Sequence, residues 1–344
     1  MNSVPTLDSI SNTIIPSKFK SLIRIFSQTM AITILIYLVS RYLIFWQDWP
    51  NLSETFTALF SSESETQGNR LLKGIALMLA YVLAFIYITF RINKTPTTSL
   101  RMDADRYKAW AFYIVRAAFW AVFLIGIADA IISFLRVEEL LKGLLGTDLS
   151  DALNQPKQRA HYVHYPLIIV SLLIAWFNKS LGFIWLAFLV VLAELTIVLT
   201  RFIFSYEQSF MGDLVRFWYA SFFLFASAYS LAEEGHVRVD VLYARINNRK
   251  KAWVNAIGSI VLGLPLCWTI LYYGMNTKQS SLLAPIISYE VSPTGYGMYV
   301  KYLMAAFLIV YATSMAIMFV SYFLKSCAYL FDEADAELPS GGEH

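Results

Sequence analysis

The sequence predicts an all-α polytopic membrane protein with about eight transmembrane helices. Of its 344 residues, 58% are hydrophobic and only 15% are charged, whereas soluble domains carry about 25% charge. Its 25 Phe, 21 Tyr and 9 Trp are the side chains that concentrate at bilayer interfaces. The apolar residues gather in runs long enough to cross a bilayer, which takes about 20 residues each. An ordinary soluble globular domain is therefore excluded.

The first three apolar runs have a helix-forming length and are separated by polar loops. The first follows a polar, Ser-rich leader and has no small-residue cleavage site after it, so we expect a retained anchor and not a removed signal peptide. These runs cover residues 23–46, 71–90 and 109–135.

The remaining runs begin with a crowded apolar stretch from residue 163 to 204, too long for one helix. Asn178, Lys179 and Ser180 supply a turn near its middle. We therefore divide it into two helices, of which the first is short for a membrane span. With three later runs the predicted total is eight, the last five being 163–177, 183–204, 214–231, 252–274 and 298–325.

The distribution of cations supports that count. With the N-terminus in the cytoplasm, the inner segments hold fifteen Lys and Arg and the outer segments hold six. Cytoplasmic loops are enriched in these residues, and removing one span would reverse the later part of the bias. We expect eight helices with both termini cytoplasmic.

Several charges lie inside the predicted spans, where they are costly and usually face protein. Glu194 is twelfth in a predicted helix of about 22 residues, Arg201 follows on the same helix face, and Arg116 and Asp129 lie in the third helix. One hypothesis is an ion or proton relay through Glu194. The other is an interhelical or intersubunit ion pair, with Arg116 as a candidate partner.

Other functional classes find little support. A net charge of +3 without a dense Lys/Arg tract argues against nucleic-acid binding. Cys267 and Cys327 both lie in apolar runs, which excludes a disulfide scaffold. His161 and His164 lie near an outer helix start, and we interpret them as structural residues. No catalytic motif is present, so the sequence predicts neither an enzyme nor a bound cofactor.

The polar segment 233–251 carries the most specific pattern. Val237, Val239 and Val241 alternate with Arg238 and Asp240, which suits an amphipathic element at the cytoplasmic interface near anionic phospholipid. The hexad Gly-His-Val-Arg-Val-Asp at 235–240 closely resembles the signature of the small membrane subunit, DctQ type, of TRAP (tripartite ATP-independent periplasmic) transporters.

The resemblance continues in register on both sides of the hexad. Arg201 with its following aromatic residue ends one helix, and Asp213 begins the next. Downstream, Glu290 and the residues up to Lys301 are similar to the loop before the family's fourth helix. The family's acidic pair stands here as Gly212-Asp213, and the first 180 residues lie outside the usual four-helix subunit.

The resemblance implies a domain plan and a set of partners. An accessory region at 1–180 with about four helices precedes a four-helix small-permease domain at 181–330 and a cytoplasmic tail at 331–344. The implied role is a scaffold in a bacterial inner-membrane transporter for sodium-coupled uptake of an organic anion such as a carboxylate. A larger membrane subunit would hold the substrate and sodium sites, and a periplasmic protein would deliver the substrate.

The expected contact residues lie in two regions. On the outer face, the loops 205–213 and 275–297 are predicted to dock the binding protein, although Arg201 and Asp213 could instead brace adjacent helices. The cytoplasmic hexad is predicted to contact the partner subunit or lipid. The residues concerned are Arg201, Glu207, Asp213, Lys278, His236, Arg238, Asp240, Glu290 and Lys301. The alternatives are a membrane-embedded enzyme and a stand-alone membrane sensor or ion-conducting protein that uses Glu194 and Arg116.

Overall fold

The computed structural model describes residues 17–60, 68–180, 182–206, 208–232, 243, 245–292 and 297–333. Within these residues every regular element is helical. The helices, in chain order, are α1 Ser17–Trp46, α2 Leu52–Phe60, α3 Gly68–Lys94, α4 Leu100–Val137, α5 Leu141–Leu145, α6 Thr147–Leu153, α7 Pro156–Arg159, α8 Tyr165–Phe177, α9 Phe183–Phe204, α10 Met211–Ala232, α11 Asn248–Gly258, α12 Leu264–Met275, α13 Leu283–Ser288 and α14 Lys301–Leu330.

Eight stretches of this helical structure are long and apolar enough to cross a membrane, which confirms the predicted fold class. Most helices extend beyond the apolar runs by a turn or more. The largest extension is at the start of α4, which begins nine residues before the predicted span. The nine added residues at the start of α4, 100–108, are largely polar, so hydropathy alone leaves them outside the predicted span.

The fourth span is longer than predicted. Residues expected to form a polar loop are helical from Pro156, and a π-helical turn at Ala160–His164 joins α7 to α8. The span therefore reaches 22 residues. A second π-helical turn, Ser259–Gly263, joins α11 to α12. Each π-helical turn is followed directly by an α-helix that has a proline in its first two residues, Pro166 in α8 and Pro265 in α12. Proline has no backbone N–H and its ring clashes with the preceding turn, so regular α-helical hydrogen bonding is interrupted there.

The described chain divides into two compact units. The first comprises Met1–Arg106, Arg238–Val261 and Val320–His344, and the second comprises Tyr107–Val237 and Leu262–Phe319.

In the first unit, α1 packs along α3, and buried polar contacts join its chain segments. Arg24 forms an ion pair with Asp103 at 2.6 Å, both side chains being buried, and also donates to the Thr95 carbonyl. Glu333 accepts from the first free N–H of α4, at Leu100, at 2.9 Å. It also pairs with Lys20 at 2.6 Å. A carboxylate at that end of a helix satisfies free donors and the helix dipole together.

The core of the second unit is aromatic. Phe217 and Phe225 of α10 are buried, and both rings contact Phe307 of α14. Trp218 donates from its indole to the Val122 carbonyl of α4 at 3.4 Å. Its ring lies where a side chain at Gly126 would be, so α4 and α10 approach closely because that position has no Cβ.

Candidate functional site

The candidate site is a polar layer near one end of the second unit, built around Asp129 of α4. The Asp129 carboxylate is fully buried. It accepts from Arg159 at 3.0 Å, bonds His164 at 3.2 Å and accepts from the backbone N–H of Tyr299 at 2.9 Å. His164 contacts the Tyr302 hydroxyl at 2.7 Å through its other ring nitrogen. One carboxylate therefore joins α4, the helix that follows Pro156, and the start of α14.

Two arginines enclose the Tyr299 ring beside this carboxylate. The guanidinium carbon of Arg159 lies 4.1 Å from the ring centroid and that of Arg136 lies 4.6 Å away. Arg136 also donates to the Gly297 carbonyl at 2.7 Å, and Arg159 donates to Leu153 O at 2.7 Å. Cation–π contacts strengthen when they are shielded from water, so this stack fixes the segment before α14 against α4.

The two other predicted intramembrane charges have different environments. Arg116 is half-buried, and its Nε has no hydrogen-bond acceptor among the described residues. Glu194 is exposed on α9 and forms no hydrogen bond or ion pair with a described residue. The structure thus does not bring Arg116 and Glu194 together. A charge at the centre of a span costs roughly 2.5–3.5 kcal/mol on the insertion scale, so the exposure of Glu194 requires an explanation.

Asp213 has a structural position in the first turn of α10. Its carboxylate accepts from the Met298 N–H at 3.1 Å and from the Ser292 hydroxyl at 3.4 Å. It also lies 3.6 Å from Arg216 in its own helix. Arg201 is exposed and has no ion pair to a described residue, so the brace between Arg201 and Asp213 is not formed. Asp213 instead holds the segment that leads into α14.

Glu290 and Lys301 form a partly exposed ion pair at 2.6 Å. The backbone carbonyl of Glu290 accepts from the N–H of Tyr302 at 3.1 Å, so both ends of the segment before α14 meet here. Of the residues assigned to the outer docking loops, this pair therefore combines a fixed backbone with charged side chains accessible to a partner.

The structure adds Glu138 to this surface, at the end of α4. The hydroxyl of Tyr206 donates to the Glu138 carboxylate, and that bond raises the pKa of Tyr206 above its ordinary value. The predicted docking loop 205–213 is therefore joined to a residue of the accessory region, 1–180. Sequence analysis missed this contact because nothing in the pattern near Glu138 indicates a partner.

Several predicted residues lie outside the described part of the chain. These are Glu207 of the loop 205–213 and the hexad residues His236, Arg238 and Asp240. Near the hexad, Tyr243 bonds the Asn255 side chain at 3.1 Å, and Arg249 donates to the Leu330 carbonyl at 3.4 Å. The described end of this segment is thus attached to α11 and α14.

The side chains of the polar layer hydrogen-bond to one another and hold the helices in position. Among the described residues, no three His, Cys, Asp or Glu side chains gather in a possible metal site. His164 and Asp129 are fully buried and satisfied by protein groups, which suits a joint between helices better than exchange with a substrate.

The fold defines a multi-pass α-helical membrane protein whose polar layer connects its helices. Comparison with protein families finds a match within its C-terminal half. Residues 187–327 match the family described as tripartite ATP-independent periplasmic transporters, DctQ component. The match covers only the C-terminal part of the chain, and the N-terminal candidate membrane spans precede it. No curated protein and no solved structure matched the chain.

Proposed function

We propose that the chain is the small scaffold subunit of a TRAP transporter for sodium-coupled uptake of an organic anion, such as a carboxylate. Its partners are a larger membrane subunit, which carries the substrate and sodium sites, and a periplasmic substrate-binding protein. The observation that carries this proposal is the DctQ match over residues 187–327. A scaffold needs braced helices, and the buried bonds of Asp129 and the aromatic packing of α10 on α14 supply them.

Reconstitution tests this role directly. Proteoliposomes containing both membrane subunits and supplied with the binding protein should accumulate a labelled carboxylate when a sodium gradient is imposed. Omitting this chain should abolish uptake, whereas the chain alone should neither transport nor conduct. Ion conductance by the purified chain would favour the alternative function through Glu194 and Arg116.

We further propose that the outer loops 205–213 and 275–297 dock the binding protein. The partly exposed pair of Glu290 and Lys301 supports this role, because an encounter that must form and dissociate repeatedly favours polar, salt-sensitive contacts. In Glu290→Lys, half-maximal uptake should require several-fold more binding protein while the amount of assembled membrane complex stays constant. The same reversal at Glu207 tests the other loop.

A charge swap separates docking from bracing. Glu290→Lys with Lys301→Glu restores the internal ion pair but leaves the two charges exchanged on the surface. If docking depends on the charge pattern, the swapped variant keeps the raised requirement for binding protein. Return to wild-type uptake in the swap would assign the pair to bracing alone, and the docking surface would then belong to other residues.

The cytoplasmic segment 233–251 is proposed to contact anionic phospholipid and the larger subunit. Its basic end supports this role, since Arg249, Lys250 and Lys251 adjoin the start of α11 and basic juxtamembrane groups are attracted to the inner leaflet. Replacing Arg238 and Asp240 together should reduce the yield of assembled complex. A wild-type yield would argue that the segment serves only its own chain.

A further inference from the structure

The most unusual surface in the structure is one face of α9. Only 11% of the apolar stretch of this helix is buried, the smallest share among the eight candidate spans. It packs along α10, and its buried side chains include Leu186 and Ala193. Most of the remaining surface of α9 is apolar and compatible with lipid. Glu194, the twelfth of the 22 residues of α9, is polar and is not compatible with lipid.

The surroundings of Glu194 differ from the rest of the exposed surface. Ala187, Val191 and Val198 lie within about 60° of it on the helix, at 100° per residue. The opposite side, at least about 120° away at 100° per residue, carries larger exposed side chains, namely Trp185, Phe188, Leu192 and Leu199. Helices in membranes approach each other most closely over short side chains. The carboxylate therefore stands on the face of α9 best shaped to receive another helix.

Among the described residues, none forms an ion pair or a hydrogen bond with Glu194. Arg201 lies seven residues further along α9, about 10 Å along the helix axis, and forms no ion pair with Glu194 in the described structure. A second copy related by a twofold axis along the membrane normal would place its own Glu194 at the same depth. Two carboxylates would then face each other, which disfavours a symmetric dimer through this face.

We infer that the face of α9 bearing Ala187, Val191, Glu194 and Val198 receives a transmembrane helix of the larger subunit, whose basic side chain pairs with Glu194 at mid-membrane. The inference rests on the proposed function, which provides the partner. An ionised carboxylate in hydrocarbon is neutralised by a cation of matching depth, so the occupant is a membrane helix bearing Lys or Arg and not a lipid tail.

Retention of the larger subunit in mild detergent tests this pairing. Interhelical polar contacts in membranes contribute amounts that correspond to about three- to twentyfold in an equilibrium constant. Glu194→Leu and Glu194→Gln should each weaken retention by that factor. Leu192→Ala, which truncates an exposed side chain on the opposite face, should retain the partner as well as wild type. Because Glu194 has no described bond within its chain, both variants should keep the monodispersity and thermal midpoint of the isolated chain.

Photocrosslinking locates the contact without altering the carboxylate. A benzophenone side chain at Val198 should crosslink to the larger subunit, identified by mass spectrometry, and one at Leu192 should not. Wild-type retention by Glu194→Leu, or crosslinking of Val198 to a second copy, would overturn the inference. If Glu194→Gln alone retains the larger subunit normally, the part of the inference that pairs Glu194 with a basic side chain is wrong. If the larger subunit fails to co-purify with the wild-type chain, the proposed function fails as well, and the inference with it.

Discussion

Asp129 should be the most stability-critical charge in the second unit, and a double-mutant cycle with Arg159 measures its contribution. Asp129→Asn keeps the shape of the side chain but removes the negative charge. Arg159 is fully buried, and it would keep the Leu153 carbonyl at 2.7 Å, the Ser133 hydroxyl at 3.3 Å and the Tyr299 ring but lose its only ion pair among the described residues. Removing one member of a buried ion pair costs about 3–5 kcal/mol. We expect that loss in the free energy of unfolding.

Arg159→Met should cost a similar amount, because it leaves the Asp129 carboxylate buried with only His164 and the Tyr299 N–H as partners. In the double variant neither charge remains, and the Asn oxygen can still accept from the Tyr299 N–H. A buried pair replaced on both sides is often nearly neutral. The two losses should therefore be non-additive by at least about 2 kcal/mol.

The assay is reversible unfolding in mixed detergent micelles, followed by tryptophan fluorescence. Asp105→Asn is the matched control, because Asp105 belongs to a more exposed pair with Lys325 at 3.8 Å and should cost about 0–1 kcal/mol. Additive losses, or a loss below about 1 kcal/mol for Asp129→Asn, would refute the reasoning that this carboxylate joins the helices.

Two further predictions concern the helix cap and the topology. Glu333→Gln should destabilise the chain by about 0.5–2 kcal/mol, the usual range for a lost helix cap, because Glu333 accepts from the N–H of Leu100 and pairs with Lys20. Asp332→Asn should be silent, and equal thermal midpoints for the two variants would contradict the cap. For topology, an impermeant thiol reagent applied from the periplasm should label Asp148→Cys but not Asn247→Cys, both positions being exposed. The native cysteines are buried and should add little background labelling. If only Asn247→Cys is labelled, the orientation in the membrane is the reverse of the predicted one.

The membrane spans could be predicted because length and apolarity determine them directly. The structure kept all eight and mainly moved their ends, as at α4 and at the span beginning at Pro156. The ends of a helix depend on where backbone hydrogen bonding stops, and hydropathy does not measure this. The π-helical turns before Pro166 and Pro265 also depend on how each helix accommodates a proline, which hydropathy does not describe.

The sequence shows that Asp129 is a charge inside a predicted span, but the residues that bind it were harder to predict. Asp129 lies near the C-terminal end of α4, so its counter-charges had to come from the polar segments that flank this end, and Arg159 lies in one of them. Position along the helix was thus a usable signal. What could not be inferred was that residues 156–164 continue a helix and bury Arg159 and His164, because that segment is too polar to be distinguished from a loop.

The contrast between Asp129 and Glu194 shows how depth and packing together separate two kinds of membrane charge. Asp129 lies close enough to the C-terminal end of α4 for flanking polar segments to fold over it, and three protein groups satisfy it. Glu194 lies at mid-span on α9, the least buried of the eight candidate spans, and it forms no hydrogen bond or ion pair with a described residue. In the inferred assembly, a basic side chain on a helix of the larger subunit satisfies this carboxylate. A charge near the end of a span is therefore best explained by its own fold, whereas an exposed charge at the centre is best explained by assembly with a partner.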